Sequence, residues 1–204
     1  MSLVFDIGAN IGNWTKSNLH TYNKIISIEA SEKTFKKLQK NFISSKIVTL
    51  NYAVCNNNCN DILFYEAQND ALSTINKEWL TSSSSRFFNT PYKEIVCKTI
   101  TIDKLINEYG KPDLIKIDVE CGEFECISSL SQKVNLLCFE WASETNNITF
   151  NCLEYLSKIG FTEYYIQDRD DYTFRPSFFY SKEDCINKLL RTVAKKDFGM
   201  IWCR

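Results

Sequence analysis

Short apolar runs alternate along the chain with stretches whose apolar residues recur at helical spacing. Residues 4–7, 24–29 and 47–54 are apolar runs of strand length. Between them, residues 13–22 read as a helix, and so does the stretch from Ser31 to about residue 42, where Ser31 stands at an N-cap and Phe35 and Leu38 share one face. Strand and helix in alternation predict a parallel sheet joined by right-handed crossovers. Two strand-like runs at 61–66 and 94–102 then break the rhythm around Ser82, Ser83, Ser84 and Ser85, and predict an inserted hairpin with a mobile loop over about residues 56–102. The rhythm resumes with a strand at 113–119, a helix at 122–130, a strand at 135–141 and a helix at 151–158 that Gly160 closes. Runs at 161–167 and 198–202 predict a final antiparallel pair, separated by an irregular stretch at 168–180 and an amphipathic helix at 184–193. The expected fold is one Rossmann-like α/β domain over residues 1–204, with a mostly parallel seven-stranded sheet, an antiparallel last strand and helices on both faces.

Chemistry concentrates first at Val4-Phe5-Asp6-Ile7-Gly8-Ala9-Asn10-Ile11-Gly12, a strand that runs into a glycine turn where the backbone can approach a ligand closely. A dinucleotide pyrophosphate seeks bare amides and a helix N-terminus, and Asp6 would repel it. The spacing also departs from G-x-G-x-x-G. A cationic nucleoside fits better, and S-adenosylmethionine carries both an ammonium and a sulfonium. Glu29 closes the second strand about twenty residues after the turn, where a carboxylate reaches a ribose diol. Asn51 or Ala53, at the end of the third strand, would lie beside the adenine. The cofactor-binding candidates are Asp6, Gly8, Asn10, Gly12, Glu29, Ala30 and Ala53, joined by Asp118 from the next motif.

That motif runs Asp113-Leu114-Ile115-Lys116-Ile117-Asp118-Val119-Glu120-Cys121-Gly122-Glu123. Alternation points Asp118 and Glu120 the same way at a strand's carboxyl end, toward the crevice where ligands bind in such sheets. Two carboxylates there serve as a general base for an attacking hydroxyl or as oxygen ligands for a divalent cation, while Glu120 or Glu123 can instead cap the following helix. Lys116 is expected on the other pleat, without a partner.

These segments together resemble the FkbM family of S-adenosylmethionine-dependent methyltransferases over roughly residues 3–141. The opening motif resembles the family's first; Ile28-Glu29-Ala30-Ser31, with Phe35 and Leu38, is similar to its second, where the family has Glu-Pro; Ile100-Thr101-Ile102-Asp103-Lys104-Leu105 resembles its Thr-Leu-Asp element; and residues 114–120 resemble its most distinctive string. The resemblance implies O-methylation of sugar hydroxyls or of other small polyketide or glycan acceptors. It also adds Glu140, in Cys138-Phe139-Glu140-Trp141, to Asp118 and Glu120 as a catalytic candidate near the acceptor. The family's Glu-Gly-x-Glu is Glu120-Cys121-Gly122-Glu123 here, with the glycine one place later. Helices that often precede the first strand and roof the pocket in related enzymes are missing from this sequence, which leaves the roof to the loop around residues 69–92 or to a second copy in a homo-oligomer. Asn89-Thr90-Pro91-Tyr92 resembles the Asn-Pro-Pro-Tyr element of amino methyltransferases but stands before the fourth strand instead of after it, and is expected to be a plain loop.

A net charge of −1 and a pI of about 5.9 leave no extended basic face for nucleic acid. An RNA ribose 2′-O-methyltransferase on the same fold is the alternative reading, and it would be expected to carry a Lys-Asp-Lys-Glu set. A module that binds S-adenosylmethionine without catalysis is another. No apolar run nears the roughly 20 residues that a membrane span needs. Nine cysteines, odd in number and scattered through strands and helices, predict reduced thiols and, with no signal-peptide pattern, a cytoplasmic protein. Cys55 and Cys59 with His20 lack the second ligand pair that zinc requires. The aromatic stretch at 172–180 either packs over the sheet edge or offers stacking faces to a sugar.

Overall fold

The computed structural model describes residues 2–56, 61–192 and 197–204. Its main sheet has seven strands, built from β1 (Leu3–Ile7), β2 (Lys24–Ile28), β3 (Ile47–Leu50), β7 (Leu114–Ile117), β8 (Leu137–Ala142), β9 (Tyr164–Asp168) and β10 (Phe198–Cys203). The spatial order is β3-β2-β1-β7-β8-β10-β9, and β10 runs antiparallel to both of its neighbours. The chain order reverses between β1 and β7, which makes that junction the switch point where a parallel sheet opens a crevice.

Every residue of β1 and β7 is buried, so these strands read as unbroken apolar runs interrupted only by Asp6 and Lys116. Alternation sorts their side chains. Phe5, Ile7, Ile115 and Ile117 face a large core shared with α4 (Ile102–Tyr109), α5 (Glu123–Ile127), α6 (Asn146–Lys158) and α7 (Lys182–Leu190). Val4 and Leu114 face the opposite side, with Trp14 of α1 (Asn13–Ser17) and Trp202. Asp6 and Lys116 follow the parity of Val4 and Leu114 and are cross-strand partners.

The interrupted rhythm becomes a second, three-stranded sheet of β4 (Ala53–Val54), β6 (Tyr92–Ile100) and β5 (Asp61–Ala67), in that order. The expected third strand at 47–54 is therefore two. Asn51 donates through Nδ2 to the carbonyls of Glu29 and Ala30 at 2.9 Å each, and beyond it the chain joins the other sheet. The expected strand at 94–102 ends at Ile100, because Thr101 caps α4 by accepting from Lys104 N at 3.1 Å. Thr101→Ala is expected to cost about 1 kcal/mol, seen as a lower urea midpoint at unchanged slope.

Helix α1 ends at Ser17, short of the expected residue 22, where Asn18 turns inward and donates to Trp14 O and Tyr172 O. Helix α2 (Glu32–Asn41) starts at its Ser31 cap as expected. Helix α6 begins five residues before the expected 151 and ends as expected, with Gly160 beyond it at φ 104°. The serine segment follows α3 (Glu78–Thr81), and Ser85 is buried and donates to Trp79 O at 2.6 Å. The expected end of the last helix at residue 193, and Cys59 of the Cys55–Cys59–His20 set, lie outside the described residues. Cys97, Cys121, Cys126, Cys138, Cys152, Cys185 and Cys203 are free and buried. No helix among the described residues is long and apolar enough to cross a membrane.

Candidate active site

A cavity of about 710 Å³ opens at the switch point, between the glycine turn and the carboxyl end of β7. Gly8 sits at φ 72° and Asn10 at φ 50°, so the chain reverses sharply after β1. Gly8 N and Ala9 N both donate to Ile28 O, at 3.0 and 2.9 Å. A Cβ on Gly8 would lie 1.8 Å from the Asp118 carbonyl oxygen, so the turn rests directly on the backbone beyond β7. Gly12, at φ 93°, does not line the cavity; a Cβ there would meet the Phe42 ring at 2.1 Å, so this glycine lets α1 start against the end of α2.

Glu29 closes one wall. Its Oε2 accepts from Asn10 N at 3.0 Å and its Oε1 from Ser31 N at 2.9 Å, tying the glycine turn to the start of α2. Burial pushes its carboxyl up to about 7, against the pull of those two amides and of Lys116. Ala30 and Ala53 line the same end, with Tyr52 between β3 and β4.

Asp6 does not line the cavity. It is fully buried beneath the turn, where Oδ2 accepts from Thr15 Oγ1 at 2.6 Å and Oδ1 lies 3.3 Å from Lys116 Nζ. The charge that the sequence offers to a cationic ligand is thus answered from within. Lys116 is not on a separate pleat: positions 116 and 118 share parity, and its Nζ stands 3.3 Å from Asp118 Oδ2. Burial opposes the ammonium charge, yet the Asp118 and Asp6 carboxylates hold it above the usual lysine range.

At the other end of the cavity Asp118, Glu120 and Glu140 converge, with one carboxylate oxygen from each within 4.8 Å of the other two. Oxygen sets of this kind suit a divalent cation. Burial, followed by the neighbouring acids, pushes Glu120 and Glu140 well above the carboxylate range, and Trp79 Nε1 donates to Glu120 Oε2 at 2.8 Å. Glu123 does not line the cavity; it accepts from Val119 N at 3.1 Å, and burial pushes it up to about 8.

The displaced glycine has a conformational consequence. Glu120 and Cys121 adopt φ 54° and 69°, whereas Gly122 sits at φ −104°, a backbone open to any residue, although a Cβ there would meet Ile75 Cγ1 at 3.0 Å. Thr74 Oγ1 donates to Glu120 O at 2.5 Å and Asn76 Nδ2 to Cys121 O at 3.5 Å, so the segment after β5 braces the strained turn. Gln68, Asn69, Asp70 and Ile75 of the same segment line the cavity, alongside Lys33 and Lys37, which both pair with Asp70. None of residues 89–92 lines it.

Asp170 and Tyr172 also line the acceptor end. Only the aromatic character of the stretch hinted at this. Further along that stretch, Phe174 and Phe179 pack onto the sheet, and Arg175 stacks over Trp202 at 5.2 Å and donates to Asn18 Oδ1 at 2.7 Å.

The sequence matches the methyltransferase FkbM domain over residues 6–174, from the acid beneath the glycine turn to the stretch that carries Asp170 and Tyr172. The chain belongs to the FkbM methyltransferase family. Among solved structures, this FkbM domain is similar to a precorrin-6y C5,15-methyltransferase from Geobacter metallireducens, at 11% identity and a TM-score of 0.51 over 100% of this chain and 79% of that one. A dimethyladenosine transferase from Plasmodium falciparum aligns at 10% identity and a TM-score of 0.49, over 100% and 55% of the two chains. The plantazolicin methyltransferase, solved with SAH, aligns at 11% and 0.43, over 98% and 76%. At such identities the likeness is one of fold. No curated protein matches the sequence. Family and fold support S-adenosylmethionine-dependent methylation. The cavity of the FkbM domain suits that cofactor: it has a turn with no room for a Cβ, a buried carboxylate at the end of β2 and an acid-lined far end.

Proposed function

We propose that this FkbM domain is an O-methyltransferase acting on a hydroxyl of a small molecule or glycan, foremost a sugar. The observation that carries the reading is the continuity of the cavity: the glycine turn, Glu29 and the Asp118–Glu120–Glu140 group line one space. The cofactor, when bound, supplies a methyl group made electrophilic by its sulfonium. The rest falls to the chain. The Gly8–Asn10 backbone and the Glu29 carboxylate hold the nucleoside, with Ala30 and Ala53 flanking its base. Asp118 takes the proton from the acceptor hydroxyl, while Glu120 and Glu140 offer hydrogen-bonding oxygens to neighbouring hydroxyls. His20, the one histidine, is exposed and lies outside the cavity, which leaves the carboxylates as proton acceptors.

Calorimetry with S-adenosylmethionine and a methyl-release assay over sugars, polyketide alcohols and RNA test this. Binding with turnover on a sugar or alcohol is expected. Turnover on RNA alone, with the methyl found on a ribose 2′-oxygen, would establish a ribose methyltransferase, binding without turnover across the panel a non-catalytic module, and absence of binding would end all three readings.

Glu29 gives the binding a pH signature. In the folded free protein its carboxyl is held up to about 7, above the ordinary value, so its contribution to stability is present at low pH and is lost as pH rises through 7. Ribose hydroxyls donate best to the ionised form and favour it. Cofactor affinity is therefore expected to rise between about pH 6 and pH 8, with proton release that makes the apparent binding enthalpy differ between phosphate and Tris buffers. Equal enthalpies in the two buffers would remove Glu29 from the ribose.

A further inference from the structure

We propose that Lys116 is the positioning residue of the cofactor site, its ammonium tying the carbonyl of the glycine turn to the carboxylate at the end of β7. The inference rests on the S-adenosylmethionine reading above and assigns a role to a side chain that the mechanism leaves unused.

Lys116 Nζ donates to Gly8 O at 3.2 Å and lies 3.3 Å from both Asp6 Oδ1 and Asp118 Oδ2. Its charge is answered by two carboxylates and one of its N–H groups by the Gly8 carbonyl, although the side chain reaches the cavity wall. Lys116 therefore acts through its partners. Each partner is anchored on a different element. Asp6 is held by Thr15 of α1, whose hydroxyl also pairs with Ser27 of β2 at 2.8 Å. Gly8 is held by its amide on Ile28 O, which leaves its carbonyl to be aimed from the other side. Asp118 N donates to Ile7 O at 3.1 Å, fixing its backbone but not its carboxylate. Lys116 is the group that the Gly8 carbonyl and the Asp118 carboxylate share, and both stand at the cavity between the nucleoside end and the acid end. Deleting the ammonium would leave two carboxylates facing each other across the turn, and the carboxylate of Asp118 free to swing.

Lys116→Met alone risks unfolding, since it leaves the buried Asp6 uncompensated. Asp6→Asn/Lys116→Met removes that charge together with its partner and keeps an acceptor for Thr15. The expected result, by calorimetry with S-adenosylmethionine and SAH as probes, is an affinity loss of about tenfold or more in this double variant, the order seen when a partner that orients a binding group is removed. Lys116→Arg is expected to restore part of the loss. Tyr155→Phe serves as the control for stability, because its hydroxyl bonds Ser128 O and Leu130 O far from the cavity; it should lower Tm while binding both probes as the unaltered protein does. A folded double variant that binds both probes with unaltered affinity would overturn the proposal. A readout on the unaltered protein stands independently: the ¹⁵N–¹H signal of the Lys116 ammonium, assigned by its loss in Lys116→Arg, should exchange slowly and shift when SAH is added, and a signal indifferent to SAH also overturns it. If the unaltered protein binds neither probe, it is the cofactor reading that fails.

Discussion

An alanine at position 8 is expected to abolish cofactor binding. Its Cβ would stand 1.8 Å from the Asp118 carbonyl oxygen, 2.8 Å from the carbonyl carbon and 3.2 Å from Val119 Cγ1. The first two are backbone atoms and cannot rotate aside, so either the turn opens or the chain beyond β7 moves; both change the wall that the nucleoside would rest on. The φ of 72° adds roughly 1 kcal/mol for a residue with a Cβ. The sum is several kcal/mol, at the severe end of single substitutions. Gly110→Ala separates the two causes, because Gly110 shares the left-handed φ, at 96°, but the nearest atom to its Cβ would be 4.0 Å away. With ψ at 167° this backbone is one that residues with a Cβ rarely adopt, so the variant should cost about 1–3 kcal/mol of strain and leave binding intact. Calorimetry and thermal melts of the two variants are the check, and Gly8→Ala binding S-adenosylmethionine as Gly110→Ala does would contradict the turn's role.

What the sequence made legible was local. A buried strand, a glycine turn and a serine cap each leave their signal within a few residues, so β1, its turn, Glu29 and the start of α2 could be read directly. Three features escaped for different reasons. Helix α4 was hidden because Ile100, Thr101 and Ile102 look like the end of a strand, and only the Thr101 cap divides them. Asp170 and Tyr172 arrive at the cavity from a segment that packs on α1 through Asn18, a contact between residues far apart in the chain. Lys116 is misplaced by the expectation of the other pleat, since positions 116 and 118 share parity, and its significance depends on Asp6 lying opposite in β1, which is a matter of strand order. The same neighbour changes the meaning of Asp6. As a bare strand-end acid it reads as a partner for a cation in the pocket; in the fold that cation is Lys116, and the acid serves the site from beneath.

Asp118→Asn is expected to lower methyl transfer by about 100- to 10 000-fold on whichever acceptor the panel identifies, the range that a general base contributes. The substitution keeps shape, and the amide oxygen still accepts from Lys116, so the turn and the cofactor wall keep their geometry and the loss falls on turnover. Glu120→Gln and Glu140→Gln should act differently. Trp79 Nε1 still finds an oxygen at position 120, neither variant removes the carboxylate beside Lys116, and the expected effect is a rise of about tenfold in the KM for the acceptor from a weakened hydrogen bond. The contrast between kcat and KM is what separates the roles. Full turnover in Asp118→Asn with normal cofactor binding would exclude it as the base, and a collapse of kcat in Glu140→Gln instead would move that role to the acid that strand β8 brings to the same cluster.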